Sequence, residues 1–218
     1  MKIYEIDQRT PEWHDLRQGR ITGTTLWQLL WTPKAQRTAY YETLAERLST
    51  ESFSDENPMM RWARLEDDAV EEFEKITWKK VDKIWFTTCD DNPFIASSPD
   101  GLIKIWEDYS EWIEIKCLGS WKHVMAWLEW NIPEEYDPQI LQYFIVNEKL
   151  QKLYFIFYDP RITIKKLFWI VVTRESVAEQ VAHAKQIQIT FLQKIDEKLL
   201  ELLWAESTEF LSTKTQLE

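Results

Sequence analysis

The stretch that decides the fold is Ser97-Ser98-Pro99-Asp100-Gly101-Leu102-Ile103-Lys104-Ile105-Trp106, followed after a polar gap by Trp112-Ile113-Glu114-Ile115-Lys116-Cys117. Both runs are rich in Ile and Trp, so the pattern predicts two short strands joined by a tight turn. If the hairpin folds about residue 108, Asp100 lies opposite Lys116 and Glu114 lies opposite Leu102. Side chains two apart on a strand share a face, so Asp100, Glu114 and Lys116 are expected to point the same way.

This polar trio interrupts an apolar face, where a Glu and a Lys are costly to bury unless they are paired or bind an ion. Opposed and diagonal neighbours in a sheet lie roughly 5–8 Å apart, which lets two carboxylates share a divalent metal beside an ammonium group. The alternative is a structural ion pair on a half-exposed hairpin, the usual explanation for a lone Glu-x-Lys. The upstream Ser-Pro-Asp-Gly favours a metal-dependent nuclease site. Carboxylate oxygens suit Mg²⁺ or Mn²⁺, which promote phosphodiester hydrolysis.

A helical apolar period over residues 60–76 places Glu66 on the inward face and Asp67 and Asp68 on outer faces. A carboxylate on such a stripe is usually an edge residue that reaches solvent. With a metal site in the same chain, Glu66 becomes a candidate for a further acidic ligand, direct or through water. The predicted metal ligands are therefore Asp100, Glu114, the backbone carbonyl of Ile115, and Glu66.

The N-terminal segment predicts one short helix over residues 11–20 and a second over 25–31, with Thr24 as its N-cap. A helix N-terminus with free amides is a natural phosphate site, and Arg17 adds a bidentate positive charge. The alternative is helix capping beside a surface Arg. Residues 33–38 form a basic loop in this interpretation, either touching DNA or simply solvated.

The remaining pattern predicts one domain over residues 1–206 and a polar, frayed tail over 207–218. The segment 49–58 is acidic and turn-rich, and we expect it to be exposed. Further predicted strands span 83–88, 94–98, 153–158 and 167–172, and further predicted helices span 39–48, 121–130, 138–147 and 176–206.

Composition narrows the class of protein. With 44% hydrophobic residues and 4 Gly among 218 residues, the chain is expected to be globular. The sequence shows no apolar run of the roughly 18 residues that cross a membrane, and we expect no secretion signal. The two Cys residues suit a reducing cytoplasm. They are too few to bind an iron–sulfur cluster on their own. The net charge of −11 predicts weak non-specific DNA affinity, which an enclosed, ring-like grip on DNA would offset.

Pro99-Asp100 followed by Glu114-Ile115-Lys116 resembles the core of the PD-(D/E)XK nuclease superfamily, and the detailed sequence resembles the phage lambda exonuclease family of viral-type alkaline exonucleases. The resemblance extends in order from Trp13 to Arg161 and implies an α/β fold with a central mixed β-sheet flanked by helices. The Trp-His-x-Leu-Arg-x-Gly-x-Ile-Thr pattern resembles the segment that holds the substrate's 5′ phosphate. The residues implied as its phosphate contacts are Arg17, Thr24 and Ser98.

Two further segments carry the same resemblance. Leu65-Glu66-Asp67-Asp68-Ala69 resembles the helix that supplies an acidic ligand, which favours Glu66. Gln142-Tyr143 resembles a Gln-Tyr pair whose amide would orient water or hold a phosphate, so Gln142 is expected at the catalytic site. The family often carries two Gln two residues apart, but Gln139 is one residue out of place and is not carried over.

The resemblance implies a Mg²⁺-dependent 5′→3′ double-strand DNA exonuclease, with Lys116 positioning or activating water after the metal lowers its proton affinity. It also implies a homotrimeric ring, a single-strand annealing protein as partner, and the cytoplasm of a bacterial or phage-infected cell. Two alternatives stay open at this point. One is an endonuclease on the same fold, and the other is a non-catalytic scaffold that binds a partner through its 13 Trp residues.

Overall fold

The computed structural model describes residues 1–48, 60–118, 120–160, 162 and 164–215, and the predicted acidic segment lies outside them. Within these ranges the helices are α1 Pro11–Arg17, α2 Gly23–Leu30, α3 Pro33–Leu48, α4 Met60–Thr77, α5 Ser120–Glu129, α6 Asp137–Val146 and α7 Ala178–Thr215. The strands are β1 Lys2–Tyr4, β2 Phe86–Thr88, β3 Ala96–Ser97, β4 Gly101–Ile105, β5 Asp108–Lys116, β6 Lys152–Tyr158 and β7 Leu167–Thr173.

The main sheet has the strand order β4-β5-β6-β7 and is mixed. Strands β5 and β6 are parallel, and the outer pairs are antiparallel. A parallel connection needs a long crossover, and here α5 and α6 supply it. Strands β1, β2 and β3 form a second, small antiparallel sheet. The predicted α/β fold with a mixed sheet flanked by helices is confirmed.

Alternation along β5 divides the core between the two faces of the main sheet. Trp112 packs with the side chains of α2, α6 and α7, whereas Ile113 and Ile115 pack with Phe73 of α4. Burial on both faces explains why β6 is apolar almost throughout, since covered strands do not alternate with polar residues.

The hairpin forms as predicted, but its register is shifted by two residues. Leu102 pairs with Trp112, not with Glu114, and the turn is shorter because β4 and β5 are separated only by Trp106 and Glu107. Trp106 takes a left-handed backbone with φ of 59°, which a non-glycine residue rarely adopts and which residue type did not predict. A shift of two residues keeps every side chain on its expected face.

Several element boundaries also differ from the predictions. Residues 33–38 belong to α3, so the expected basic loop is wrong, and the strand expected over 83–88 is limited to Phe86–Thr88. Helix α7 continues into the expected tail as far as Thr215, and the division into a domain and a tail stays a prediction. In the described ranges, no helix combines the length and the apolar character needed to cross a membrane.

Candidate active site

Glu114 is the centre of a buried hydrogen-bonded cluster on β5. Lys116 Nζ donates to its Oε1 at 2.5 Å, as expected for side chains two apart on one strand. Gln139 Nε2, from α6, donates to the same oxygen at 2.6 Å, and the Tyr143 hydroxyl donates to Oε2. The strand and the helix after it therefore hold one carboxylate between them.

Asp100 lies at the open end of the hairpin, directly before β4. Its Oδ2 accepts a hydrogen bond of 2.7 Å from the backbone N–H of Ile115. The observed register, extended by one residue, places Asp100 beside Glu114 in place of Lys116. The structure therefore brings Asp100, Glu114 and Lys116 together, as the alternation predicts.

Glu66 of α4 joins this cluster from the neighbouring helix. It is partly buried, whereas Asp67 and Asp68 are exposed, as the helical period predicts. Arg9 Nη2 donates to both carboxylate oxygens of Glu66, at 3.3 and 3.4 Å. Arg9 has a φ of 66°, so a non-glycine residue in the left-handed region presents this guanidinium to the site.

The charges of neighbouring carboxylates affect the pKa values of this cluster. Burial raises the pKa of Asp100 well above its ordinary value, and the charges of Glu114 and Glu66 raise it further. The pKa of Glu66 is also raised, mainly by burial and also by Glu114, while Arg9 opposes the rise. Burial lowers the pKa of Lys116, but Glu114 and Asp100 outweigh it, so the net pKa is raised. The lowering expected of Lys116 beside a metal stays a prediction.

The donor set fits a hard divalent cation. Among the side chains that the structure describes, no group of three or more His, Cys, Asp or Glu is already arranged as a metal site. The charge of Glu114 nevertheless raises the pKa values of Asp100 and Glu66, and an added cation would relieve that repulsion. Carboxylate oxygens are the ligands that Mg²⁺ and Mn²⁺ prefer. The proposed Ile115 carbonyl ligand stays a prediction.

A pocket of about 520 Å³ adjoins the cluster and contains the residues expected to hold a phosphate. Arg17, Thr24 and Ser98 line it together with Lys116. Arg17 Nη1 donates to Ser98 Oγ at 2.5 Å, and its Nη2 donates to Thr22 Oγ1 at 3.5 Å. The guanidinium also lies over the Trp13 ring, 4.5 Å from its centroid. Arg17 is thereby oriented towards the pocket.

Thr24 lines the pocket as predicted, but it is not the N-cap of α2. Helix α2 begins at Gly23, with Thr22 as its N-cap, so Thr24 lies inside the first turn and the predicted N-cap is wrong. Thr22 was missed as a pocket residue. Its hydroxyl adds a polar group beside Arg17. Its position in the sequence, two residues before Thr24, was the signal that could have identified it as a pocket residue.

Gln142 does not reach the pocket, and its expected catalytic position is corrected. Its amide is fully buried, with Nε2 donating to the carbonyls of Ile21 and Ala96 at 2.8 and 2.9 Å. Its Oε1 accepts from Gln188 of α7 at 2.6 Å. Gln142 therefore connects α6 to three other chain segments within the core.

Gln139 and Tyr143 occupy the position that Gln142 was expected to fill. Both line the pocket, both donate to Glu114, and Gln139 Nε2 also donates to the Tyr143 hydroxyl at 2.7 Å. Residues four apart on a helix share a face, whereas Gln142 lies about 60° from Gln139 and about 100° from Tyr143 around the helix axis. The spacing of Gln139 and Tyr143 was the signal that could have identified them.

Solved structures with a similar fold are exonucleases. An alkaline exonuclease (LHK-Exo) from Laribacter hongkongensis superposes with a TM-score of 0.79 at 21% identity, covering 91% of this chain and 99% of that one. Its complex with dAMP gives 0.78 with the same identity and coverage. A phage related exonuclease from Haemophilus somnus 129PT gives 0.57 at 14% identity, covering 87% and 99%.

The comparison of sequences identifies the family. A search of curated proteins gives no match. The YqaJ-like viral recombinase domain matches residues 12–149, which include Arg17, Glu66 and the whole hairpin. The resemblance to the lambda exonuclease family is thereby confirmed. The chain belongs to the YqaJ-like viral recombinase domain family.

Proposed function

We propose that this recombination-related DNA exonuclease removes nucleotides from the 5′ ends of linear duplex DNA in the presence of Mg²⁺, or Mn²⁺, and leaves 3′ single-stranded overhangs. One observation carries the proposal: Arg17 and Ser98 line the same pocket as Lys116, which is bonded to Glu114. A group that holds a terminal phosphate beside a hydrolytic centre makes cleavage depend on a DNA end.

Each residue has a distinct role in this proposal. Arg17, with its planar guanidinium, binds the terminal phosphate, and Ser98 and Thr24 add hydroxyl donors. Asp100, Glu114 and Glu66, with the Ile115 carbonyl, would hold the metal. When bound, a hard divalent cation supplies Lewis-acid activation and neutralises charge on the scissile phosphate. Lys116, whose ammonium group has three donors, positions the attacking water and donates to a phosphate oxygen.

Gln139 and Tyr143 act on Glu114 as positioning residues. Their two donors leave the carboxylate little freedom to rotate, because each oxygen receives at least one hydrogen bond. Such partners of a ligand typically change metal affinity or activity by about 10- to 100-fold when removed. Gln139 therefore takes over the role that the sequence assigned to Gln142.

The wider assembly that we propose, a ring-shaped homotrimer, is what the resemblance to the lambda exonuclease family implies. The net charge of −11 fits it, because an enclosed grip would keep the protein on DNA without strong attraction to phosphates. The 3′ overhangs would pass to a single-strand annealing protein. We place this activity in the cytoplasm of a bacterial or phage-infected cell.

The test is digestion of linear duplex DNA with either 5′-phosphate or 5′-hydroxyl ends, labelled at the 5′ or the 3′ terminus, with Mg²⁺ or EDTA. We expect metal-dependent release of label from 5′ ends and faster digestion of the phosphorylated substrate. Lys116→Ala should abolish activity, and Lys149→Ala, an exposed lysine paired with Asp108, serves as the matched control. Equal digestion of both ends without metal contradicts the proposal, and cutting of closed circular DNA supports an endonuclease.

A further inference from the structure

The region of α2 near the pocket contains two exposed tryptophans, Trp27 and the C-cap residue Trp31. Trp27 lines the pocket and is 37% exposed, and Trp31 is 61% exposed. Their rings stack with centroids 5.1 Å apart and planes inclined by 20°. Single exposed aromatic residues are common on proteins, but a stacked exposed pair beside a pocket calls for an explanation.

The position of Trp27 follows from the helix. Residues three apart on a helix are neighbours on its surface, so Trp27 lies one turn from Thr24. Arg17, Thr24 and Trp27 line one pocket together with Lys116 and Gln139. A nucleotide with its 5′ phosphate on Arg17 has its sugar and base inside this pocket, within reach of the Trp27 ring.

The other aromatic rings of the pocket are already engaged. The Tyr143 hydroxyl bonds to Glu114, and its ring is buried. The Tyr136 ring carries the Lys116 ammonium 4.9 Å from its centroid. Trp27 is held by Trp31 and remains partly exposed, so it is the pocket ring best placed to accept a base.

We propose that the indole of Trp27, backed by Trp31, is the surface on which the base of the 5′-terminal nucleotide stacks after it leaves its partner base. The inference rests on the proposed 5′-end function. A pocket of about 520 Å³ has the size of a site for one small ligand, so in this proposal the terminal base unpairs before it enters. Stacking on the indole replaces the stacking lost from the duplex and tolerates every base.

The negative net charge makes base stacking a larger part of the expected DNA affinity. With a net charge of −11, the protein gains little from general attraction to phosphates. Base stacking adds affinity that does not depend on counterion release. Arg17 and Trp27 are therefore expected to differ in salt dependence: loss of Arg17 reduces the salt slope of binding, and loss of Trp27 leaves it unchanged.

The test is a double-mutant cycle between the indole and the terminal base. Dissociation constants are measured in EDTA for 5′-phosphorylated duplexes that carry a normal or an abasic 5′-terminal nucleotide. We expect Trp27→Ala to weaken binding of the normal duplex by about 10-fold and of the abasic duplex by less than about 2-fold. Trp27→Phe should retain most of the affinity, because it keeps an aromatic face.

Controls separate this inference from the proposed function. Trp78→Ala removes an indole that is 92% exposed and lies outside the pocket, and it should bind like the unmodified protein. If Trp27→Ala weakens both duplexes equally, the indole only packs the helix and the inference is overturned. If the unmodified protein does not distinguish 5′-phosphate from 5′-hydroxyl ends, the proposed function fails instead.

Discussion

Strand β5 contains two buried glutamates, Glu111 and Glu114, whose charged neighbours differ. Glu111 and Glu114 are 7% and 2% exposed, and being three residues apart they face opposite sides of the sheet. Glu111 lies 2.7 Å from Lys79 Nζ and 3.7 Å from Lys152 Nζ, and Tyr154 donates to it at 3.1 Å. Two lysines therefore serve a single carboxylate, and the cluster is a structural ion pair.

Around Glu114 the carboxylates outnumber the cations, because Asp100, Glu114 and Glu66 share Lys116 and Arg9. One lysine, Lys116, bonds to a carboxylate that also acts on Asp100 and Glu66. A hydrogen bond to Glu111 raises the pKa of Lys79 and so stabilises its charged form. Burial, and then the charge of Glu114, raises the pKa of Asp100 and so destabilises its charged form. A surplus of buried carboxylates distinguishes a site that would bind a cation from one that is already balanced.

The largest expected effect comes from neutralising each glutamate in turn. Glu114→Gln should lower the rate of DNA hydrolysis by about 10³-fold or more, because it removes a predicted metal ligand. Glu111→Gln should leave the rate within about 3-fold and instead lower the free energy of unfolding by roughly 1–3 kcal/mol, because Lys79 and Lys152 lose their partner. Initial rates and thermal unfolding measure the two effects.

Metal titration gives this comparison a readout that does not depend on activity. A ligand that binds only the folded protein raises Tm, so Mg²⁺ should stabilise the unmodified protein and Glu111→Gln alike. Glu114→Gln should lose most of that shift. If Mg²⁺ raises the Tm of Glu114→Gln as much as that of the unmodified protein, Glu114 is not a metal ligand and the contrast between the two clusters disappears.

The two glutamines of α6 sharpen the comparison at the next level. Gln139→Leu should lower the hydrolysis rate by about 10-fold, because Glu114 loses one of its donors. Gln142→Leu should have little effect on rate relative to folded protein. It should lower the free energy of unfolding by roughly 2–4 kcal/mol, because the Ile21 and Ala96 carbonyls each lose one donor and the buried Gln188 amide loses its acceptor.

The result is read from rates per folded molecule beside unfolding curves for both variants. A tenfold loss of rate in Gln142→Leu at full folding would return that residue to the catalytic site. The same loss of stability in both variants would mean that Gln139 is merely another packing residue. Each outcome changes which groups are counted as partners of Glu114.

A smaller effect is expected from Arg9, the second cation near the carboxylates. Arg9→Gln removes the positive charge beside Glu66, and the more negative cluster should then bind Mg²⁺ a few-fold more tightly. The measurement is the Mg²⁺ concentration that gives half of the maximal Tm shift. Lys83→Gln is the matched control, since Lys83 pairs at 2.5 Å with the exposed Asp67 on the same helix. Weaker Mg²⁺ binding in Arg9→Gln would show that Arg9 positions Glu66 instead of competing with the metal.

Local patterns predicted the parts of the site that depend on periodicity. Alternation identified Asp100, Glu114 and Lys116, and the helical period placed Glu66 inward. The register was wrong by two residues because the turn depends on a left-handed Trp106, which residue type does not signal. Arg9 was missed because its partner lies 57 residues away. Gln142 was chosen by resemblance, although the four-residue spacing of Gln139 and Tyr143 indicated the correct face.

The smallest effect is expected at Gly23, where α2 meets the helix that carries Gln139. A Cβ at Gly23 would lie 3.0 Å from Gln139 Cα and 3.3 Å from its Cβ and Cγ, so Gly23→Ala should push the helices apart by a few tenths of an ångström. The helix gains stability from Ala, by up to about 1 kcal/mol, which offsets much of the packing cost. We therefore expect nearly unchanged Tm and a 2- to 3-fold lower rate, roughly the sensitivity of a positioned ligand to a small displacement.

A double variant shows whether that loss passes through Glu114. In a Gln139→Leu background the donor is already absent, so Gly23→Ala should cause no further loss of rate. Gly101→Ala is the contrasting control, because its Cβ would overlap Val81 Cγ1 and lie 3.1 Å from Ile113, and it should lower stability first. Additive losses of rate in the double variant would place the effect in the phosphate pocket, where Thr22 and Thr24 flank Gly23. The packing of α2 against α6 would then have no role in positioning Glu114.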